Sequence, residues 1–298
     1  MGQPACACFV ARRLLLLLSR VDCIERVMKK FVRGILDSTT LAFLQWGFAS
    51  RIVSFLAYQQ RRVTRRRVEA RLRAAGLYGD EVINGPFRGM RYPPREQWAS
   101  CRFEKIHGTY EHELHPLLYR LAATQKYKTI VNIGAAEGYY SVGLARLFPG
   151  AKVVSFEAKD PDTAFCAVLA RLNGVEARIE TRGTCTTEAL DALDPGKPAL
   201  VWMDIDTGER AVLDPLKVPW LTGVDILVEL HDCMEAGLTD LIRSRFTGTH
   251  RIEQITNAGL DYARYPVLRN LLFSEIEALV GEDRRGLQDW LFMEPTDP

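Results

Sequence analysis

The chain of 298 residues predicts an α/β fold: a doubly wound, mostly parallel sheet with an N-terminal helical extension. Three observations carry this. From Thr129 onward, short apolar runs alternate with longer amphipathic stretches, which places helices on both faces of a sheet. Within that series, residues 127–157 read strand, glycine turn, helix, strand, and close on an acid. At 47% hydrophobic and 26% charged residues, the chain can bury a full core and falls outside the disordered class.

At the N-terminus, Arg12-Arg13 followed by Leu14 to Leu18 imitates a signal peptide. Five leucines followed by Ser19, Arg20 and Asp22 make too short an apolar region, and no small-residue cleavage site follows; Met28 is an alternative start. Leu41 to Tyr58 is apolar, yet Gln45 and Arg51 interrupt it and it falls short of the ~20 residues of a spanning helix, so a helix packed on the main domain is expected. An arginine-dense helix follows over Arg61 to Arg73. The net charge of +2 hides an asymmetry, because residues 1–75 hold 15 Lys and Arg against 4 Asp and Glu, and the remainder holds 24 against 33. Such an extension permits peripheral contact with an anionic membrane surface. Nucleic acid is disfavoured as a partner, since no aromatic residues interleave the arginines. Asn84 to Met90 reads as a hairpin or turn, and Gly108 to Pro116 as the start of a helix covering a ligand mouth.

The alternation then runs strand 129–133, helix 138–148, strand 152–157, helix 162–172, strand 177–182 and helix 186–193. It continues with strand 199–204, helix 208–216, strand 225–230, helix 236–246 and strand 250–256. Ligands of such sheets sit beyond the carboxyl ends of the strands. At the first of those ends, Gly134-Ala135-Ala136-Glu137-Gly138 lets backbone run close to a ligand at a helix start. Glu157, at the next strand end, suits a carboxylate accepting hydrogen bonds from ribose hydroxyls. Together they describe a nucleoside-binding unit. A dinucleotide site expects G-x-G-x-x-G around a pyrophosphate, which a carboxylate at Glu137 would repel; a cationic sulfonium ligand fits that charge better.

These residues resemble the class I S-adenosylmethionine-dependent methyltransferases, and among them the FkbM-like group. The resemblance rests on Val131 to Tyr140, Phe156-Glu157, Leu172-Asn173-Gly174-Val175 and Met203 to Glu209, and covers the region from Gly108 to the C-terminus. It implies a Rossmann-like methyltransferase sheet, with S-adenosylmethionine held by Asn132, Gly134, Ala136, Glu137, Gly138, Glu157, Thr184 and Asp204. Two positions depart from the family pattern. Asn132 stands where an acid is usual, and Asp204-Ile205-Asp206-Thr207-Gly208-Glu209 stands where Asp-x-Glu-Gly-x-Glu is common. The implied organisation is a basic helical extension over 1–75, a lead-in hairpin and lid over 76–120, and the methyltransferase domain over 121–298.

Two further clusters fall on the same rim: Asp204, Asp206 and Glu209 after the fourth strand, and Glu229, His231 and Asp232 after the fifth. Transfer to an oxygen needs a base for the hydroxyl proton. His231 is the natural base, with Asp204 or Asp232 to orient it; helix capping is the plain alternative for Asp206 and Asp232. Oxygen-rich ligands would suit Mg²⁺ rather than Zn²⁺, but spacing alone assigns no metal. His115 is a candidate for a lid role. Seven cysteines without a C-x-x-C pair argue for reduced thiols in a cytoplasmic setting, with Cys166, Cys185 and Cys233 as packing residues. The expected function is methylation of an oxygen on a small molecule or sugar. A non-catalytic scaffold on the same fold and a nicotinamide-dependent oxidoreductase are the alternatives, and nothing in the sequence sets the oligomeric state.

Overall fold

The structure, a computed structural model, describes residue 30 and residues 47–94, 101–257, 259–281, 286 and 288–296. What the sequence predicts for residues 1–27 and 41–46 lies outside them. The chain divides into two compact units, Met1–Val63 and Thr64–Pro298. In the first, the described residues from Gly47 on belong to helix α1 (Gly47–Ala74), where Ile52, Val53, Phe55, Leu56 and Tyr58 are exposed. Among the described residues no helix is long and apolar enough to cross a membrane.

The second unit holds a seven-stranded sheet: β1 (Thr129–Ile133), β2 (Lys152–Phe156), β3 (Ile179–Arg182), β4 (Ala199–Met203), β5 (Asp225–Leu230), β6 (His250–Ile255) and β7 (Asp289–Pro295). The order across it is β3-β2-β1-β4-β5-β7-β6. The first five strands are parallel, with Ile133 level with Phe156 on one side and Met203 on the other; β7 runs antiparallel between β5 and β6. The fold is therefore the doubly wound, mostly parallel, Rossmann-like sheet that the alternation predicts. The departure is β7. The apolar run Trp290 to Met293 is a buried strand that the sequence reading passes over, because only a partner strand elsewhere in the chain makes it central.

Helices cover both faces: α2 (Arg102–His107), α3 (His115–Thr124), α4 (Tyr139–Leu147), α5 (Asp160–Leu172), α6 (Thr187–Asp191), α7 (Glu209–Val212), α8 (Leu238–Phe246) and α9 (Phe273–Val280). The period-2 pleat sorts the core into two layers. Ile130, Val153, Leu200, Trp202 and Leu227 face one, while Val131, Val154, Val201, Met203 and Val228 face the other. β4 and β5 are buried along their whole length, so both of their faces are apolar and their polar residues collect at the ends. The predicted helix over 208–216 shortens to one turn, α7.

The predicted hairpin over 84–90 is a series of turns closed by a single bridge between Glu81 and Arg91. Residues 76–120 belong to the same compact unit as the sheet. The arginines that follow Thr64 are largely engaged. The Arg65 guanidinium donates to both oxygens of the buried Glu104 at 2.8 and 2.6 Å, Arg71 pairs with Glu275 at 3.0 Å, and Arg73 lies 3.5 Å from Asp80.

Candidate functional site

A cavity of about 700 Å³ opens at the carboxyl ends of β1, β2, β4 and β5, where the chain must leave the sheet and its backbone groups lack ladder partners. Of the sequence-predicted residues, Gly134, Ala136, Glu157, Thr184, Asp204 and His231 line it. Asn132, Glu137, Gly138 and Asp232 do not, and each has a structural partner instead.

Asn132 is buried inside β1 and donates through Nδ2 to Ser141 Oγ at 2.8 Å; Ser155 Oγ donates to the same oxygen at 2.8 Å. The amide thus ties β1 to α4, and an acid there would lack the proton to donate. Glu137 is buried and paired with the buried Lys105 of α2, whose ammonium also lies 4.7 Å from the Tyr110 ring and 5.2 Å from that of Tyr139. The cation that Glu137 attracts is therefore the chain's own. Gly138 adopts φ +93°, and a Cβ on it would meet Cys166 Sγ at 2.5 Å, so α5 rather than a ligand requires the glycine. Gly134, at φ +85°, is needed for a similar reason: a Cβ would come within 1.7 Å of the Asp204 carbonyl oxygen. Asp232 accepts from the backbone N–H groups of Gly237 and Thr239, each at 3.1 Å, and from the Thr239 hydroxyl. It caps the entry to α8, the plain alternative the sequence already offers.

Glu157 sits where the sequence places it. Its Oε2 accepts from the Ala136 N–H at 2.8 Å and its Oε1 from the Lys159 N–H at 2.9 Å, so the carboxylate is fixed at both oxygens while each keeps a further lone pair for a ligand. Thr184 and Cys185 close the wall beyond β3. Burial pushes the Cys185 thiol up to about 12 and the Cys166 thiol up to about 11, which leaves neither as a thiolate nucleophile at neutral pH.

Opposite Glu157 stands a charged cluster around His231, which is buried at the end of β5. Its Nδ1 lies 3.2 Å from Glu209 Oε1, and its Nε2 lies 3.5 Å from Asp204, 3.5 Å from Glu229 and 3.7 Å from Asp206. Burial would lower the imidazole pKa, but hydrogen bonds to Glu209 and Glu229 and the charges of Asp204 and Glu229 outweigh it and raise the value to about 10. The ring therefore carries a proton at neutral pH, unlike the base poised near neutrality that the sequence reading expects. The depth of the cleft and then Glu229 push the Asp204 carboxyl well above its usual range, with His231 pulling the other way.

Three further wall residues are not among the site residues the sequence names, although two of them lie in the Gly108 to Pro116 stretch expected to cover the ligand mouth. Tyr110 and Glu111 reach in from the turn before α3, and Tyr140 OH donates to Glu111. Gln288 arrives just ahead of β7. Backbone strain gathers here too: Glu111, Ala136 and Asp206 on the wall have φ of +44°, +44° and +52°, and Thr207 beside them has +86°.

No family model matches this chain, and none of the curated proteins does. Solved structures are similar to it. One is the O-methyltransferase TomG from Streptomyces achromogenes, involved in tomaymycin synthesis and solved in complex with SAM, at 19% identity over 61% of this chain and 80% of that one, with a TM-score of 0.43. A second is the O-methyltransferase from Bacillus cereus in complex with SAH, at 16% identity over 78% and 90%, with a TM-score of 0.41. A third is an rRNA methylase from Streptococcus thermophilus, at 12% identity over 62% and 98%, with a TM-score of 0.42. What the rim can hold follows from its own residues.

Proposed function

We propose that this chain is an S-adenosylmethionine-dependent methyltransferase acting on an oxygen of a small molecule or sugar. The observation that carries the reading is Glu157: a carboxylate at the end of β2, pinned by two backbone amides and facing a cavity whose other side is acidic. A cavity of about 700 Å³ lies within the range of ~300–1,000 Å³ typical of ligand pockets. Its wall carries Glu111, Glu157, Asp204, Asp206 and Glu229 against Lys159 and His231. That balance suits a ligand with a cationic sulfonium and ammonium, and it opposes the pyrophosphate of a nicotinamide dinucleotide.

The ligand supplies an electrophilic methyl group. The chain's own residues do the rest: Glu157 accepts from the ribose hydroxyls, Thr184 and Cys185 border the base, and Gly134 and Ala136 keep the floor shallow. On the opposite wall the protonated His231 is placed to orient an acceptor oxygen, and Asp204, 3.5 Å from it and made more basic than an ordinary carboxylate by burial and Glu229, to take the hydroxyl proton as the oxygen attacks. The motif series Val131 to Tyr140 with Met203 to Glu209 supports the FkbM-like group within the class.

Calorimetric titration with S-adenosylmethionine, S-adenosylhomocysteine and NAD tests the reading. The two sulfur ligands are expected to bind and NAD not to. Glu157→Ala should weaken both by about 10- to 100-fold, the worth of a charge-assisted hydrogen-bond pair. Silence from both sulfur ligands, or full affinity in Glu157→Ala, would overturn it.

A further inference from the structure

We propose that Asp204, Glu209 and His231 form a divalent-cation site opposite Glu157, with Asp204 and His231 on the cavity wall and Glu209 buried beside them. These residues come from three successive elements of the fold: the end of β4, the first turn of α7 and the exit of β5. One donor atom from each lies within 4.8 Å of the other two. Metal–oxygen distances of ~2.0–2.5 Å set donors roughly 3–5 Å apart around an ion, so the cluster needs no rearrangement of the backbone to close on one.

The second observation is independent of that spacing. Glu209 is fully buried. Its Oε1 accepts from the Ile205 N–H at 3.2 Å and lies 3.2 Å from His231 Nδ1, while its Oε2 has no hydrogen-bond partner among the described residues. A carboxylate oxygen removed from water with nothing donating to it is costly, and a bound ion is one of the groups that would satisfy it. Helix capping accounts for Oε1, which holds the start of the turn, and leaves Oε2 unexplained.

Charge points the same way. Asp206 and Glu229 approach the same ring at 3.7 and 3.5 Å, so four carboxylates converge on one imidazole. Even with the ring protonated, the cluster carries an excess of negative charge; a divalent cation offsets it and displaces the ring proton to solvent, since only neutral imidazole ligates, so binding should strengthen as the pH rises. The donor set also restricts the metal. Mg²⁺ favours oxygen ligands alone, whereas an imidazole beside two carboxylates suits Mn²⁺ or Zn²⁺. The sequence reading assigns no metal and holds only that an oxygen-rich set would suit Mg²⁺ better than Zn²⁺; the placement of His231 among the oxygens shifts that preference.

Within the methyl-transfer reading, such a cation would stand where an acceptor oxygen approaches and would favour its ionised form. The site itself stands on the ligand set alone, so the test omits any methyl donor. The full chain, stripped of metal with a chelator, is titrated calorimetrically with MnCl₂, then with ZnCl₂ and MgCl₂. The expected result is one saturable Mn²⁺ site, weakened at least tenfold in Asp204→Asn and in Glu209→Gln, with the far-UV circular dichroism of both variants unchanged. Asp204 has a partly exposed side chain, so Asp204→Asn decides the matter if the buried Glu209→Gln fails to fold. No saturable binding of any of the three ions to the wild-type chain, or unweakened binding in a folded Asp204→Asn, would overturn the proposal. Parallel titration with S-adenosylhomocysteine separates the two readings: nucleoside binding without metal binding removes only the cation, and metal binding without nucleoside binding removes only the methyl donor.

Discussion

Glu137 and Glu157 are acids at neighbouring strand exits, and their surroundings give them opposite uses. Glu137 is buried against the Lys105 ammonium, so its charge is spent inside the protein. Among the described residues Glu157 is held by two backbone amides, and it keeps a lone pair on each oxygen for the cavity. Thr207 makes the residue-scale case for strain. A β-branched side chain at φ +86° occupies a conformation that glycine adopts freely, in the loop between two proposed cation ligands, Asp204 and Glu209. Strain of this kind is worth ~1–3 kcal/mol, and the added freedom of glycine in the unfolded chain returns part of it. Thr207→Gly is therefore expected to stabilise the protein by about 1 kcal/mol in urea denaturation, with the cavity residues unmoved. A destabilised variant would show that the Thr207 side chain makes a contact worth more than its backbone strain.

At the scale of elements, the turn from β1 to α4 is a packing device as much as a ligand loop. Gly134 lets the exit of β1 lie against the exit of β4, and Gly138 lets α4 start against α5. The two glycines should respond differently to a methyl group. Gly138→Ala meets a side chain, Cys166, and overpacking plus a left-handed alanine should cost about 2–4 kcal/mol. Combining it with Cys166→Ala should cost less than the sum of the two single changes, because removing Sγ relieves the 2.5 Å contact. Gly134→Ala meets backbone, which cannot rotate away, and is expected to cost more than Gly138→Ala and, by pushing Asp204 outward, to abolish the proposed binding of S-adenosylhomocysteine. Equal denaturation midpoints for the two alanine variants would contradict this ordering.

On the scale of the whole molecule, histidines buried in uncharged form make the fold sensitive to acid. Burial lowers the pKa of His107, His115 and His250, and for His115, with the neighbouring charge of His112 adding to burial, the value falls to about 4. His115 begins α3 and its ring packs over Gly85, where a Cβ would meet Cε1 at 2.8 Å. In the unfolded chain this histidine takes up a proton near pH 6.5, whereas in the folded chain it does so only near pH 4. Stability from this residue is therefore whole above pH 6.5 and lost as the pH falls toward 4, by up to about 3 kcal/mol. His115→Asn should flatten urea stability across that window relative to the wild-type chain, and an unchanged slope would remove His115 from the account.

The sheet, its alternation and the end of the cavity around Gly134 and Glu157 are legible in the sequence because they depend on short-range patterns. Strand and helix periods repeat within a dozen residues, and Glu157 follows Gly134 within a single βαβ unit. The boundaries of β1, β2, β4 and β5 accordingly agree with expectation to within a residue. What only the tertiary structure decided are the pairings between distant segments: β7 entering between β5 and β6, Lys105 neutralising Glu137, Gln288 reaching the wall, and four carboxylates converging on His231. Periodicity records which face of an element is buried. It carries no record of which remote side chain meets it there, and in the interior that partner determines whether a charge is consumed by the fold or left for a ligand.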